Sequence, residues 1–268
     1  MRHLILIIAV FYSFSLVSQN SEKKDKMMVA LITRAPKLEN SIDFYKKLAF
    51  KQLPKPTFKT VAQQEAPRAE AVFFTDGKMV IEVSADIFVR AGLKMYKKSW
   101  ASEISKLEAI TKVFKTKDGY LLYDPSGIAI YLVEYEFNVD FIPADSAFSH
   151  LGNYQGLTVE SPDIEKAFKV YENLGFKLKM GEAAKGFVGL VSPDNFTVTL
   201  LAPQMCPHMF FNPSVTYFNG KNNPGVIKKI RELNIPITEE IGVFNKIEDV
   251  DNIIIRDPGG FGFFIFND

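Results

Sequence analysis

The sequence contains few of the side chains that most often bind metals or act as nucleophiles. It has three histidines, His3, His150 and His208, and one cysteine, Cys206. Cys206 and His208 could supply two metal ligands, but two ligands without a third partner make a weak site, and a surface loop is the favoured interpretation. No motif supports triad chemistry of the Ser-His-Asp kind. A single cysteine also excludes an intrachain disulfide and a metal site built from several cysteines.

The composition is that of an ordinary globular protein. Of 268 residues, 47% are hydrophobic and 24% are charged, which argues against disorder. The chain length suggests one or two domains, and 24 phenylalanines predict aromatic-rich cores. Lys and Arg number 32 against 31 Asp and Glu, with no basic stripe. The charge pattern therefore gives no case for a nucleic-acid partner.

The first residues have the pattern of a secretory signal peptide. A short positive start precedes an apolar run, Leu4–Val17, and small or polar residues follow it. As a helix this run would span roughly 21 Å, less than the ~30 Å hydrocarbon core of a membrane. We predict a signal peptide at residues 1–19 and a secreted or periplasmic location, with no membrane contact after cleavage. An uncleaved anchor or a buried first helix is the alternative, and the lack of a cysteine after the run argues against a lipoprotein anchor.

Two sequence motifs occur twice, in the same order along the chain. The first aligns Ser41–Phe50 with Ala167–Phe176, and in each segment a tyrosine precedes a phenylalanine with a leucine between them. Both segments predict a short amphipathic helix that ends at a turn into a strand. The second motif is an Asp-Pro-x-Gly turn between apolar strands, in Tyr120–Val133 and Asn252–Phe266. Proline sets φ at the second turn position, and glycine takes the position with φ > 0.

The two motifs repeat at nearly the same period, which indicates a tandem duplication. Each copy divides again into two units of one strand, one helix and three strands. Helices are predicted at Ser41–Leu48, Ser102–Ile110, Ile164–Leu174 and Gly225–Leu233. We predict one domain at residues 28–135 and another at 150–268, with Tyr135–Ser149 as the linker. Pro54–Arg68 has the composition of a long loop.

A helix ending in Tyr-x-x-Leu-Gly-Phe, followed later by Asp-Pro-x-Gly and a final apolar strand, resembles the vicinal oxygen chelate superfamily. This group includes glyoxalase I, extradiol dioxygenases, and the fosfomycin and bleomycin resistance proteins. The resemblance covers nearly all of residues 28–267. It implies an α+β fold in which four βαβββ modules form two tandem glyoxalase-like domains, each curved around a cleft. In the family's enzymes the cleft holds a divalent metal that acts as a Lewis acid.

The resemblance also implies where metal ligands would stand. The family takes His or Gln from the first strand of a module and Glu from its last strand. In the first domain these positions hold Met28, Glu82, Arg90 and Tyr131. In the second domain they hold Tyr154, Thr199, Ser214 or a near neighbour, and Phe264. A shift of one residue would turn Gln155 inward, but strand alternation argues against it. Only Glu82 is a usual ligand, so the positions do not support a divalent metal cofactor.

The candidate ligand-binding residues are therefore Glu82, Arg90, Tyr131, Tyr154, Thr199 and Phe264. In one interpretation Arg90 holds an anionic substrate, Glu82 acts as a base and Tyr131 donates a hydrogen bond. In the favoured interpretation Glu82 and Arg90 form a structural ion pair in a vestigial cleft. Likewise, the aromatic residues of the second domain either fill space as core or line a pocket for a flat ligand.

Three functions are compatible with this pattern. The favoured one is a binding protein similar to the bleomycin resistance proteins, which hold a small molecule without converting it. The alternative is a divergent lyase, isomerase or dioxygenase whose metal ligands come from unexpected positions, and the third is a scaffold protein with inactive clefts. Three or more His, Gln or Glu side chains converging in one cleft would favour the enzyme. Because the chain already contains four modules, we predict a monomer.

Overall fold

The computed structural model describes residues 27–55, 70–135, 141, 143–207, 211–243 and 246–267. The predicted signal peptide, most of the predicted loop at 54–68, and His208 lie outside the described residues. Within them the chain forms two eight-stranded mixed sheets with the same strand order. None of the described helices is long and apolar enough to cross a membrane.

The first sheet has the order β2-β3-β4-β1-β5-β8-β7-β6. Its strands are β1 (Met28–Arg34), β2 (Lys51–Leu53), β3 (Ala71–Thr75), β4 (Val80–Ser84), β5 (Gly92–Tyr96), β6 (Val113–Thr116), β7 (Gly119–Tyr123) and β8 (Ala129–Val133). β1 runs parallel to β4 and antiparallel to β5, and β5 runs parallel to β8. The two modules of this half therefore join through β1 and β5.

The second sheet repeats this arrangement, in the order β10-β11-β12-β9-β13-β16-β15-β14. Its strands are β9 (Tyr154–Glu160), β10 (Lys177–Glu182), β11 (Phe187–Val191), β12 (Thr197–Leu201), β13 (Ser214–Phe218), β14 (Ile237–Val243), β15 (Lys246–Arg256) and β16 (Gly262–Phe266). The predicted α+β fold of four βαβββ modules in two tandem copies is confirmed.

Each module contributes one helix: α1 (Leu38–Lys47), α2 (Ala101–Glu108), α3 (Ile164–Asn173) and α4 (Asn223–Glu232). The bounds differ from the predicted ones by a few residues at most. α3 begins after Asp163, whose side chain accepts a hydrogen bond from the Lys166 backbone N–H and so satisfies one of the free donors of the first turn. α1 begins at Leu38 with no side-chain cap, slightly before the predicted start at Ser41.

The main core contains residues from both sheets and from the helices. Because side chains alternate along a strand, each sheet turns one face toward this core and the other toward a cleft. In β1, for example, Val29 and Leu31 belong to the main core, whereas Ala30 belongs to a smaller cluster on the cleft side. α1 also packs on the second sheet, where the rings of Phe44 and Tyr45 each lie 6.3 Å from that of Phe263. The two halves therefore share one core.

The two repeated motifs meet each other across this shared core. The Tyr45 hydroxyl of the first half donates a hydrogen bond to Oδ2 of Asp257 in the second half, at 2.9 Å. Reciprocally, the Tyr171 hydroxyl donates to Oδ2 of Asp124 in the first half, at 3.1 Å. The helix of each copy is thus hydrogen-bonded to the Asp-Pro-x-Gly turn of the other copy. The two copies are therefore related by an approximate two-fold symmetry.

Candidate functional site

The concave face of the first sheet encloses a cavity of about 430 Å³, which we call the first cleft. Strand pairing sets its floor, because Glu82 lies beside Ile32 across β4 and β1, and Lys94 lies beside Tyr131 across β5 and β8. Ile81 and Val83, on either side of Glu82, belong to the main core instead. The cavity is lined by Ile32, Lys55, Ala71, Phe73, Glu82, Ser84, Asp86, Val89, Lys94, Tyr96, Thr116, Lys117, Asp118, Tyr120, Tyr131, Val133 and Tyr135.

Glu82 is the charged centre of this floor and is only 4% exposed. Its Oε1 accepts a hydrogen bond from the Lys94 ammonium at 2.7 Å, and its Oε2 accepts one from the Tyr96 hydroxyl at 2.6 Å. A carboxylate removed from water needs such partners, since an unpaired buried charge is strongly destabilising. Glu82, Lys94 and Tyr96 therefore form a compact polar cluster inside an otherwise aromatic cavity.

The predicted contact between Glu82 and Arg90 is wrong. Arg90 is exposed and lies in the loop before β5, which begins only at Gly92. Gly92 sits against Ala129 of β8 so closely that a Cβ would lie 2.0 Å from the Ala129 carbonyl oxygen. The strand therefore starts two residues after Arg90. Lys94 lies four residues further along, on the side of the sheet that Arg90 was predicted to face, and it supplies the positive charge.

Tyr131 lies at the edge of this cluster. Its hydroxyl accepts a hydrogen bond from the Arg90 backbone N–H at 3.0 Å, so Arg90 reaches the site through its main chain. Burial, the largest influence, raises the pKa of Tyr131 above its ordinary value of 10.0. The hydroxyl therefore keeps its proton at neutral pH and can donate it in a hydrogen bond.

The second sheet forms a different surface on its concave side, the second cleft. The hydroxyls of Thr158 and Thr216 lie 2.8 Å apart there, and Thr199 pairs with Thr158 on the neighbouring strand. Phe264 is buried and stacks on Phe266 with 5.4 Å between ring centroids. Packed against this pair are Cys206, Phe211, Ile241 and Ile254. Thr199 and Phe264 thus share a face, and aromatic side chains fill much of it.

Tyr154 does not face the second cleft, and that part of the prediction is wrong. Its ring packs against the main core, 5.9 Å from the ring of Tyr217. The reason is a register shift between β9 and β13: Thr216 pairs with Gly156, but Tyr217 pairs with Tyr154, so Gln155 is skipped. Such a bulge interrupts the alternation and turns the residue before it to the opposite face.

The residues at the family's ligand positions do not fit a divalent cation. Both oxygens of Glu82 are engaged by Lys94 and Tyr96, and an ammonium group 2.7 Å from the carboxylate would repel a metal ion. Met28 is half-buried and packs with the aromatic residues of the first cleft, while Ser214 is buried in the second sheet. Among the described residues, no group of three or more His, Cys, Asp and Glu side chains is placed to hold a metal.

Lys94 and Tyr96 are the site residues that the sequence interpretation missed. The signal was present, since Lys94 is a charged residue within the otherwise apolar strand Gly-Leu-Lys-Met-Tyr. Alternation from Lys94 places Tyr96 on the same face. The interpretation instead took Arg90, which precedes the strand, as the site position.

Neither a family model nor a curated protein matches the sequence. Solved structures do match. A variant of homoprotocatechuate 2,3-dioxygenase from B. fuscum superposes with a TM-score of 0.51 at 13% identity, over 90% of this chain and 71% of that one. The Arthrobacter globiformis homoprotocatechuate 2,3-dioxygenase gives a TM-score of 0.50 at 14% identity, over 90% and 79%. These extradiol dioxygenases belong to the vicinal oxygen chelate superfamily, and the protein has the fold of that superfamily. At such low identity the likeness concerns the fold alone.

Proposed function

We propose that the protein binds a small molecule in the first cleft, without a divalent metal at the positions that the superfamily uses for one. The observation that carries this proposal is the cavity of about 430 Å³ above the Glu82, Lys94 and Tyr96 cluster. Its volume lies within the roughly 300–1,000 Å³ of small-molecule pockets, which combine apolar walls with a few polar groups. This role resembles that of the bleomycin resistance proteins.

The test is to fill the cavity and follow ligand binding by thermal shift with a panel of small molecules. Ala71 lines the cavity, so Ala71→Phe should abolish the rise in melting temperature that a bound ligand produces. Ala109→Phe is the matched control, because Ala109 is an exposed residue near α3 and does not line the first cleft. Ligand-induced stabilisation that persists in Ala71→Phe would contradict the proposal.

A superfamily enzyme with rearranged ligands is the second candidate. The observation in its favour is the buried Glu82 carboxylate beside Lys94 and Tyr96, since such groups can transfer protons. Metal analysis of the purified protein separates the two candidates. Metal retained in stoichiometric amount after dialysis, with a higher melting temperature on adding Zn²⁺, Ni²⁺, Mn²⁺ or Fe²⁺, would favour the enzyme.

We also propose that the protein is exported and monomeric. The N-terminal pattern of residues 1–19 supports secretion or delivery to the periplasm. The shared core between the two halves supports a monomer, because the contact that would join two single-domain copies is made within one chain. N-terminal sequencing of the exported protein tests the first proposal, and light scattering tests the second. A retained N-terminus or a stable dimer would count against them.

A further inference from the structure

Two side chains at the floor of the first cleft, Lys94 and Tyr131, have hydrogen-bond donors to offer a ligand. The described contacts engage both oxygens of Glu82. The Lys94 ammonium has three N–H groups and donates one of them to Glu82. The Tyr131 hydroxyl accepts from the Arg90 backbone, so its own proton remains available. A ligand that reaches this floor meets both donors and can present acceptor oxygens to them.

The two donors stand side by side. Lys94 and Tyr131 are direct partners in the parallel pair of β5 and β8, and both line the cavity. Neighbouring strands lie about 4.8 Å apart, so the two side chains can contact two oxygens of one group. The Lys94 side chain is 22% exposed, so it remains accessible to a ligand despite its bond to Glu82.

The lining of the cavity contains three lysines and three acids, and the acids have hydrogen-bond donors of their own. Lys55 and Lys117 are exposed residues of its lining and add positive charge near its mouth. Two of the acids in the lining have partners of their own: Asp86 accepts from the Phe88 backbone N–H at 2.9 Å, and Asp118 accepts from the Tyr135 hydroxyl. The three acids of the lining thus each have hydrogen-bond donors beside them, and the Lys94 ammonium is the cationic group that meets a ligand at the floor.

The walls of the cavity define the rest of the ligand. They contain the aromatic side chains Phe73, Tyr96, Tyr120, Tyr131 and Tyr135. Aromatic walls pack well against a flat ring, with offset or edge-on contacts.

We propose that the first cleft binds a small aromatic carboxylate whose carboxylate group is held by Lys94 and Tyr131 while its ring packs against the aromatic wall. This inference rests on the proposed function and specifies the ligand of the same site.

The test compares carboxylates with their neutral amides, using benzoate against benzamide and phenylacetate against phenylacetamide. Dissociation constants are measured by calorimetry and ligand-observed NMR. Because hydrogen bonds to charged groups contribute about 1.5–3 kcal/mol, the carboxylates should bind at least about tenfold more tightly than the amides. Tyr131→Phe should weaken carboxylate binding several-fold, and the Glu82→Gln, Lys94→Gln double variant should reduce it to the level of the amide.

A matched control removes a similar ion pair elsewhere. Lys97 and Glu103 also lie 2.7 Å apart, outside the cavity lining. The double variant Lys97→Gln, Glu103→Gln should leave carboxylate affinity unchanged. Should the Glu82 and Lys94 double variant fail to fold, Tyr131→Phe, which removes one hydroxyl, gives the deciding comparison.

The outcomes separate this inference from the proposed function. Equal affinity for carboxylates and amides, blocked by Ala71→Phe, would overturn the carboxylate site while leaving the proposed function intact. Carboxylate binding that survives both Tyr131→Phe and the double variant would also overturn it. If no small molecule of any class stabilises the protein in a way that Ala71→Phe removes, the proposed function itself fails.

Discussion

The hydroxyls of Tyr154 and Tyr217 are in opposite hydrogen-bonding states although their rings touch. The Tyr217 hydroxyl donates to Oδ2 of Asp76 at 2.8 Å. The Tyr154 hydroxyl is buried, and no partner for it lies among the described residues. Burial is the largest influence on both groups and raises the pKa of each well above 10.0, so both stay protonated. A buried donor without an acceptor is unfavourable by about 1–3 kcal/mol.

We therefore expect Tyr154→Phe to raise the free energy of unfolding by about 1 kcal/mol, because it removes the unpaired hydroxyl and keeps the ring. Tyr217→Phe is the matched comparison and should lower it by about 1–3 kcal/mol, because Asp76 loses a buried donor. Urea denaturation of the two variants and the wild type measures both changes. A loss of stability in Tyr154→Phe equal to that in Tyr217→Phe would mean that the Tyr154 hydroxyl has a partner.

At the scale of elements, the sequence predicts the βαβββ order well, because hydrophobic alternation and the two turn motifs are local signals. It misplaces Arg90 and Tyr154 because strand register is set by distant contacts. Gly92 meets Ala129 of β8, and β9 skips Gln155 opposite β13. Gly92 and Gly156 mark the two places, but a glycine alone does not show which neighbouring residue the strand turns inward, so the strands were recognisable while two of the site positions on them were not.

The ends of α1 and α3 offer an internal comparison between the two copies. Both helices have a C-cap leucine followed by a residue with positive φ, which is Ala49 (φ 64°) in the first copy and Gly175 (φ 94°) in the second. Glycine is preferred here because it has no Cβ to collide with its own backbone. A Cβ at Gly175 would meet nothing within 4 Å, so backbone strain, not a steric clash, should dominate the loss of stability on substituting this glycine.

Exchanging the two residues should therefore have opposite effects. Ala49→Gly should raise the free energy of unfolding by about 0.5–1 kcal/mol, and Gly175→Ala should lower it by about 1–2 kcal/mol. Thermal and urea denaturation of each single variant provide the measurement. Destabilisation by Ala49→Gly would show that the packing of the alanine methyl outweighs its backbone strain.

At the scale of the whole molecule, the two halves are joined through buried aspartates. Asp257 and Asp124 accept the hydroxyl protons of Tyr45 and Tyr171, and Asp76 accepts that of Tyr217. Oδ2 of Asp194 accepts the Val29 backbone N–H at 2.7 Å. Each of these bonds links one half to the other. Burial raises the pKa of all four aspartates from 3.8, because it disfavours the charged form more than the hydrogen bonds favour it.

These four buried aspartates should therefore stabilise the shared core more as the pH falls. The pKa of Asp257 rises from 3.8 to about 6 on folding. Below pH 3.8 Asp257 is protonated in both the unfolded and the folded protein, and between pH 3.8 and about 6 it is protonated only in the folded protein. The stabilisation is thus fully present below pH 3.8 and is lost as the pH rises through about 6. Since one pKa unit corresponds to 1.36 kcal/mol, the loss from this group is on the order of 3 kcal/mol.

Asp257→Asn imitates the protonated acid and should remove this part of the pH dependence. In urea denaturation from about pH 4 to about pH 7, its free energy of unfolding should fall less steeply than that of the wild type. Tyr45→Phe should steepen the fall, because the Tyr45 hydroxyl lowers the pKa of Asp257. Asp124→Asn, at the equivalent turn of the first half, should flatten it in the same direction as Asp257→Asn. If the free energy of unfolding of Asp257→Asn and of the wild type changed equally with pH, protonation of Asp257 would not control the stability of the shared core.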